Sequence, residues 1–466
     1  MRQHVQQKSD VLVIGGGAAG LAAAVTLGRH GIRTLVVEKR PSPSAWPRAT
    51  VVSTRAMEHV RSWGLEPAVR AAGVDADVWL WECATLATAG EGRARAVGYP
   101  TREQAALVSP TTPVVVAQDR FEAVLRRHLA TLPSVRVETG TEIATVTPGP
   151  DGAVATTADG RALHARYVVA ADGAHSRVRQ GLGVAVHGDD EGTLMGTQAV
   201  VRAPLAAVLG EVRFGLYWTT DTPGLFLPTG PDDRWIHAPG TGPGTTPGPD
   251  EIVESVRRGA GAAHLDVRVE SIRAVHAAAR LAETFRVGDV FLAGDAAHRV
   301  TPRGGTGMNT ALQSGVDLAW KLAWVLRGWA GPELLDTYEA ERRPVAEHVV
   351  ARSADPGGSR RDVAAELAVD LGARLPHVAL PDGRSTLDLL GPGWTVLAGP
   401  AGDGPARALA AERAGTAPVV VHALDALSAR ALGLAPDAAL LARPDGVPAG
   451  LRSGAAAPDR LVDAAA

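Results

Sequence analysis

Cysteine is almost absent from this chain of 466 residues: only Cys83 occurs. A single thiol excludes a disulfide framework, a cysteine-ligated metal cluster and Cys-x-x-Cys dithiol chemistry. Lysine is nearly as rare, with Lys8, Lys39 and Lys321 alone among 47 basic residues, so arginine carries most of the positive charge. Neither sign of charge dominates. The formal net charge is −3 and the pI about 6.5, which leaves no basic footprint for nucleic acid or an anionic membrane surface. Long apolar runs are missing too: charge or glycine interrupts every hydrophobic stretch well short of the roughly 18 residues that a membrane-spanning helix needs. The first ten residues, Met1 to Asp10, are polar and carry no apolar signal core. These absences point to a cytoplasmic protein with no metal site and no nucleic-acid or membrane partner. What remains is an ordinary globular composition, 45% hydrophobic and 21% charged, long enough for two or three domains.

The most informative stretch lies near the N-terminus. Val11 to Ile14 are four apolar, mostly β-branched residues that read as a buried strand, and the alanine-rich run after Gly20 reads as a tightly packed helix. Between them Gly15, Gly17 and Gly20, with Ala18 and Ala19, have the G-x-G-x-x-G spacing that brings backbone close to a pyrophosphate at a helix N-terminus. A second apolar run, Thr34 to Val37, ends in Glu38, eighteen residues beyond Gly20 and followed by Lys39. A carboxylate there accepts hydrogen bonds from an adenosine ribose. Strand, glycines, helix, strand and acid in that order predict a dinucleotide site.

Further along, a proline-rich loop from Pro41 to Pro47 leads into Arg48 and a helical stripe over residues 53–65. Residues 76–107 read as irregular and carry Trp79 and Trp81, and a helix opens at Gln118. Residues 135–170 read as a β-meander of four strands, from Val135, Ile143, Ala153 and Leu163, that delivers Asp172-Gly173. Residues 184–280 alternate in short runs, such as Val212 to Trp218 and Gly224 to Pro228, as an antiparallel sheet does. An apolar strand then delivers Gly294-Asp295, and the glycine-rich loop from Pro302 through Arg303, Gly304, Gly307 and Met308 to Asn309 opens a long helix.

Three sites thus converge on one ligand. Glu38 and the glycines suit adenosine and pyrophosphate, and Asp295 suits the hydroxyls of an extended sugar chain. The helix opening at Gly307 to Asn309 suits a ring that becomes negatively charged, because free N–H groups and the positive end of the helix dipole face it. FAD has these parts.

At this point the sequence resembles the group A flavoprotein monooxygenases of the para-hydroxybenzoate hydroxylase fold, especially the aromatic and polyketide hydroxylases. The resemblance spans residues 9–353 and includes Pro47-Arg48-Ala49, Gln118, Asp172-Gly173, Gly294-Asp295, Pro302 to Asn309, Trp320-Lys321-Leu322 and Tyr338 to Pro344. It implies an α/β (α+β) chain with three parts. A Rossmann-like FAD-binding domain with a β-meander takes residues 1–75, 108–183 and 281–355; an antiparallel substrate domain takes 76–107 and 184–280. A thioredoxin-like domain without Cys-x-x-Cys takes 356–466. It also implies that Glu38 binds ribose, that Arg48 and Gln118 contact non-covalently bound FAD, and that Asp172 lies in a motif linked to FAD and NAD(P)H. Asp295 would hold the ribityl chain and residues 307–309 the isoalloxazine.

The activity implied is NAD(P)H-dependent insertion of one oxygen atom of O₂ into a phenolic, polycyclic polyketide-like substrate through a flavin C4a-hydroperoxide. The flavin carries the chemistry, and no catalytic side chain is assigned. NAD(P)H has no second fingerprint of its own and docks transiently. Trp218, Phe226, Arg303 and Gly304 are candidate substrate-lining residues, and His298 reads as structural. Baeyer–Villiger insertion on the same scaffold, and an oxidase or redox-sensing flavoprotein, are the alternatives. A flavin halogenase is not, because Trp79-Leu-Trp81 lacks the Ile-Pro that completes its motif and no lysine is suitably placed. The oligomer is a monomer or homodimer. Two positions depart from the family pattern: Thr306 stands where glutamine is frequent, and Ser314-Gly315 where Asp-Ala is usual.

Overall fold

A computed structural model describes residues 8–188, 193–240, 246–358 and 362–454. The polar N-terminal tail, and the outermost residues of the first and last expected domains, lie outside these. Strand Lys8–Ile14 is central in an eight-stranded sheet, parallel to Thr34–Glu38 on one side and to Ala162–Ala170 on the other. Both faces of this sheet are covered, so Val11, Leu12 and Val13 have no exposed surface and the strand is continuously apolar. Helix α1 (Ala18–Arg29) follows the glycine loop and buries every residue but Arg29.

The meander has three strands rather than four. Ile143–Gly149, Gly152–Thr157 and Ala162–Ala170 pair antiparallel in succession. Val135–Thr139 instead lies parallel to Thr34–Glu38 as the sheet's far edge. The reason is topological. Residues 118–129 form a helix between the two strands, and a strand reached through a helical crossover docks parallel. Thr34 N–H also donates to Ser134 carbonyl, and Thr141 N–H to Glu38 carbonyl, which fixes the register.

A second, seven-stranded sheet runs in the order Arg268–Ala277, Thr193–Arg202, Arg234–Pro239, Gly224–Pro228, Phe214–Thr219, Asp77–Cys83 and Arg93–Arg95. The stretch expected to be irregular therefore supplies two strands, one of them parallel to Phe214–Thr219. Trp81 stacks on Phe214 with ring centroids 4.4 Å apart, an aromatic pairing that sequence spacing does not reveal. One face of this sheet packs on the helix Pro249–Ala260 around Tyr217, Phe226, Trp235, Ile252 and Val256. Cys83 belongs to this core, and burial pushes its thiol up to about 11, so it behaves as a small apolar side chain.

The C-terminal unit has the strand–helix order of a thioredoxin-like domain. Trp394–Ala398 pairs parallel with Val419–Ala423 and antiparallel with Ala438–Ala442, which in turn pairs with Pro448–Ser453. Helices Asp403–Glu412 and Ala426–Leu432 connect the strands. Among the described residues, no helix is long and apolar enough to cross a membrane.

Ion pairs fasten this unit to the first domain. Glu58, on helix α2 (Thr54–Ser62), accepts from Arg374 at 2.6 Å and from Arg55 at 2.8 Å, with the Glu58 and Arg374 side chains only 5% and 4% exposed. Arg61 pairs with Asp388 at 2.8 Å. Lys321 has no exposed surface and sits 3.0 Å from Asp317 and 3.2 Å from Glu341, which also receives Arg443 at 2.7 Å. Burial alone raises the Glu341 carboxyl, but hydrogen bonds from Arg443 and the Lys321 charge outweigh it and hold the group at about 2. Removing one member of a buried pair strands its partner's charge. Glu58→Ala leaves two guanidiniums without their carboxylate and should lower the unfolding free energy by about 3–5 kcal/mol, read from the denaturant midpoint.

Candidate functional site

The fingerprint glycines are required sterically. Gly15 has φ of +110°, and a Cβ there would overlap the carbonyl oxygen of Ala171, while one at Gly20 would overlap that of Gly15. Gly17 is the N-cap of α1; no side chain caps this helix and no acid lies in its first turn. Its N–H groups and dipole are thus left for an anion. Glu38 stands beside this loop, accepting from Gly16 N–H at 2.8 Å and Arg40 N–H at 2.9 Å, and Lys39 is exposed next to it.

Two residues that sequence reading passed over hold the loop from below. On the helix Gln118–Leu129, Gln118 donates to Glu122 at 2.7 Å, and Arg126 donates to the other Glu122 oxygen at 2.9 Å and to Gly16 carbonyl at 2.6 Å. The signal was the spacing of Gln118, Glu122 and Arg126 at successive i,i+4 positions.

The second strand-end acid meets the first site through small residues. Gly294 has φ of +62°, and a Cβ there would lie 2.9 Å from the Cβ of Ala19 and 3.3 Å from that of Ala311. Ala311 belongs to the long helix α3 (Gly307–Leu326), and a Cβ at Gly315 of that helix would overlap the carbonyl oxygen of Ala19. Helices α1 and α3 therefore pack backbone to backbone, with Gly294 wedged between their first turns. Asp295 follows at that junction. No donor among the described residues reaches its carboxylate, burial pushes its carboxyl up, and the charges of Arg48 and Arg299 oppose that shift. Asp295 is half-buried, and a ligand that covers the rest of its surface must supply the donors that water would otherwise give. Arg48 itself is exposed.

Helix α3 also begins without a side-chain cap; Thr306 is its N-cap, and no acid occupies its first turn. Asn309 fixes this end: its Oδ1 accepts from Ser53 N–H at 3.0 Å, and its Nδ2 donates to Val51 carbonyl at 3.2 Å and to the Tyr99 hydroxyl at 3.3 Å. Tyr99, which the sequence did not single out, donates to Gly305 carbonyl at 2.9 Å. Met308 and Ala18 are buried in the core, Gly304 has φ of +83°, and Pro302 is exposed on the loop. Asp172 accepts from Ser176 Oγ at 2.5 Å and Val178 N–H at 3.2 Å, so its carboxylate organises the following helical turn.

The sequence departures have local causes. Thr306 Oγ1 accepts from Arg352 at 2.5 Å. Gly315 is the position at which α3 touches α1, and Ser314 lies 3.0 Å from His298 Nε2 and donates to Thr310 carbonyl at 3.0 Å. His298 is 2% exposed, and burial with the Arg342 charge pushes its imidazole down to about 3. It is neutral and structural.

One substrate-side expectation, Phe226, needs correction. Phe226 has no exposed surface and faces the helix Pro249–Ala260, 4.3 Å from the His237 ring centroid, because its position in the strand alternation points into that core. Arg303 donates to Ala354 carbonyl at 3.4 Å, which ties the loop to a helix end. Trp218 lies half-buried on the sheet face opposite Phe226, with Leu216, Leu225 and Leu227.

Comparison with known proteins agrees with this geometry. The FAD binding domain family matches residues 8–353, and the aromatic-ring hydroxylase C-terminal family matches residues 369–466. A putative polyketide hydroxylase of Streptomyces halstedii is 35% identical, covering 79% of this chain and 71% of its own. Aklavinone 12-hydroxylase RdmE of Streptomyces purpurascens is 34% identical, with 84% of each chain covered. A solved ternary complex of aklavinone-11 hydroxylase with FAD and aklavinone has a TM-score of 0.83 at 30% identity, covering 97% of this chain and 96% of that one.

If Asp295 takes its missing donors from the cofactor, Asp295→Ala should weaken FAD binding by roughly 10- to 100-fold, the range for hydrogen bonds to a charged group. Flavin fluorescence titration checks this, with the circular dichroism spectrum unchanged.

Proposed function

The chain belongs to the FAD-dependent aromatic-ring hydroxylases, with FAD as cofactor and NAD(P)H as the family's co-substrate, and from that premise we propose that it inserts one oxygen atom of O₂ into a phenolic, polycyclic polyketide-like substrate. The observation that carries the reading is Asp295, a half-buried carboxylate without a protein donor, at the junction of two helices that both lack an N-terminal cap. A ligand with a hydroxylated chain between two negatively polarised ends satisfies all three.

In this reading the α1 N-terminus holds the pyrophosphate and Glu38, already oriented by Gly16 and Arg40 N–H, accepts from the ribose. Asp295 accepts from the ribityl hydroxyls, and Arg48 approaches the phosphate side of the same chain. The N–H groups of Gly307, Met308 and Asn309 stabilise negative charge on the ring, where the helix dipole adds to them. Gln118 closes the adenosine side, while Glu122 and Arg126 keep the glycine loop in position. Bound FAD supplies acceptance of hydride from NAD(P)H and activation of O₂, of which one atom goes to substrate and the other to water. The chain's own contribution is to bind, to orient and to keep water out.

The substrate class rests on two supports. The relatives' aklavinone is the first. The second is the half-buried apolar face of Leu216, Trp218, Leu225 and Leu227, which suits a flat, extended ring system. Sheet membership supports the proposed division into a discontinuous FAD-binding part (1–75, 108–183, 281–355), a substrate part (76–107, 184–280) and a terminal part (356–466), since Asp77–Cys83 joins the second sheet and Val290–Leu292 the first.

Turnover of a polycyclic phenol under ¹⁸O₂ tests the proposal. The product should gain one labelled atom, and the phenol should accelerate NAD(P)H consumption. Turnover without label identifies an oxidase or dehydrogenase instead, and NAD(P)H consumption indifferent to phenols points to a redox sensor.

A further inference from the structure

Helix α5 (Val363–Leu371) lies beyond helix α4 (Thr337–Ala354) and leads towards the thioredoxin-like domain. It buries none of its residues completely, so apolar packing contributes little to holding it. Two carboxylates hold it instead. The Asp370 carboxylate accepts from Ser53 Oγ at 2.7 Å, from Arg55 N–H at 3.0 Å and from Gln313 Nε2 at 2.9 Å. Ser53 and Arg55 form the N-terminus of α2, and Gln313 lies in the second turn of α3. One hydrogen bond further on, Ser53 N–H donates to Asn309 Oδ1 at 3.0 Å. Glu366, one turn earlier on α5, pairs with Arg352, which donates to Thr306 Oγ1 at 2.5 Å. Thr306 is the residue at which α3 begins. A helix outside the dinucleotide fold thus grips the start of α3 from both sides.

We infer that Asp370 is a positioning residue for the flavin-ring end of the site, acting through Ser53, Gln313 and Asn309 on the N-terminus of α3. The inference rests on the reading that this N-terminus faces the ring. Three donors on one half-buried carboxylate fix the distance between α2 and α3, and an error there moves the N–H groups that face the ring. Burial raises the Asp370 carboxyl and nearby Glu58 adds to this, while the three donors oppose it, so the contacts and the charge state support each other. Thr306, which departs from the family pattern, belongs to the same assembly through Arg352 and Glu366.

The test compares the FAD-loaded wild-type protein with Asp370→Ala and Asp370→Asn. In Asp370→Ala the visible absorption bands of bound flavin should shift and kcat for NAD(P)H oxidation with a phenol should fall roughly tenfold or more, with the KM for NAD(P)H little changed, as expected of a small misplacement of the reacting ring. Asp370→Asn keeps one acceptor oxygen and should recover part of both. A lowered melting temperature with wild-type flavin spectrum and kcat overturns the inference, because it shows a merely structural contact. If Asp370→Ala does not fold, Gln313→Ala, which removes a single donor, is judged by the same spectrum and kcat. Wild-type protein that binds no FAD instead overturns the functional reading on which the inference rests.

Discussion

Everything in the site depends on how closely α1 approaches α3. Gly315 leaves room for the backbone of α1 at Ala19, and Gly294 fits between Ala19 and Ala311 where no larger residue would. Cores resist even a single added methyl group when backbone lies opposite, since neither partner has a side chain that can rotate away. The contact brings two uncapped helix ends and the Asp295 carboxylate to one place, although Asp295 lies 277 positions beyond Ala18 in the chain. Each group alone is an unfavourable feature of a folded protein: free N–H groups at two helix ends and a half-buried carboxylate with no protein donor. Together they are complementary to one elongated ligand, and their cost in the empty protein is recovered when it binds.

The rest of the chain stiffens that contact. From one side, Gln118, Glu122 and Arg126 support the glycine loop. From the other, Asn309 joins α3 to the strand before α2, and Tyr99 brings in the insertion that belongs to the second sheet. The thioredoxin-like unit, which has no thiol of its own, contributes charge instead: Arg374 to Glu58, and Arg443 to Glu341 and hence to Lys321 on α3. Buried ion pairs contribute little net stability compared with apolar packing, but they tolerate only one geometry. That property matters more here than stability, because the helices they hold carry the site.

Much of this was legible in the sequence, for a definite reason. The glycines at 15, 17, 20 and 294 and the acids at 38 and 295 occupy strand ends, where local spacing and function coincide. Sequence reading failed where partners are distant. Val135–Thr139 resembled the strands after it in composition, and only the crossover helix before it decided the pairing. Asp77–Cys83 pairs on one side with residues more than a hundred positions away, and on the other with the short, charged Arg93–Arg95, so no tight hairpin signal announced it. Phe226 and Trp218 belong to the same alternating pattern, and their composition did not reveal which sheet face the helix covers. The exchange of Asp-Ala for Ser-Gly at 314 and 315 looked like a departure of unclear meaning until the backbone of α1 appeared opposite it.

The position of Asp370 in the chain also bears on the order in which the protein is assembled. The glycine loop and its strand leave the ribosome first, but α2 acquires its acid at Ser53 and Arg55 only after more than three hundred further residues have been made. The Arg374–Glu58 pair closes across a similar span. Loop closure over such lengths is slow, and domains near the N-terminus begin to fold during synthesis. The glycine loop and helix α1 are therefore made long before Asp370 and Arg374, so the acids and cations that tie down α2 join a nucleotide-fold strand and helix that are already in place.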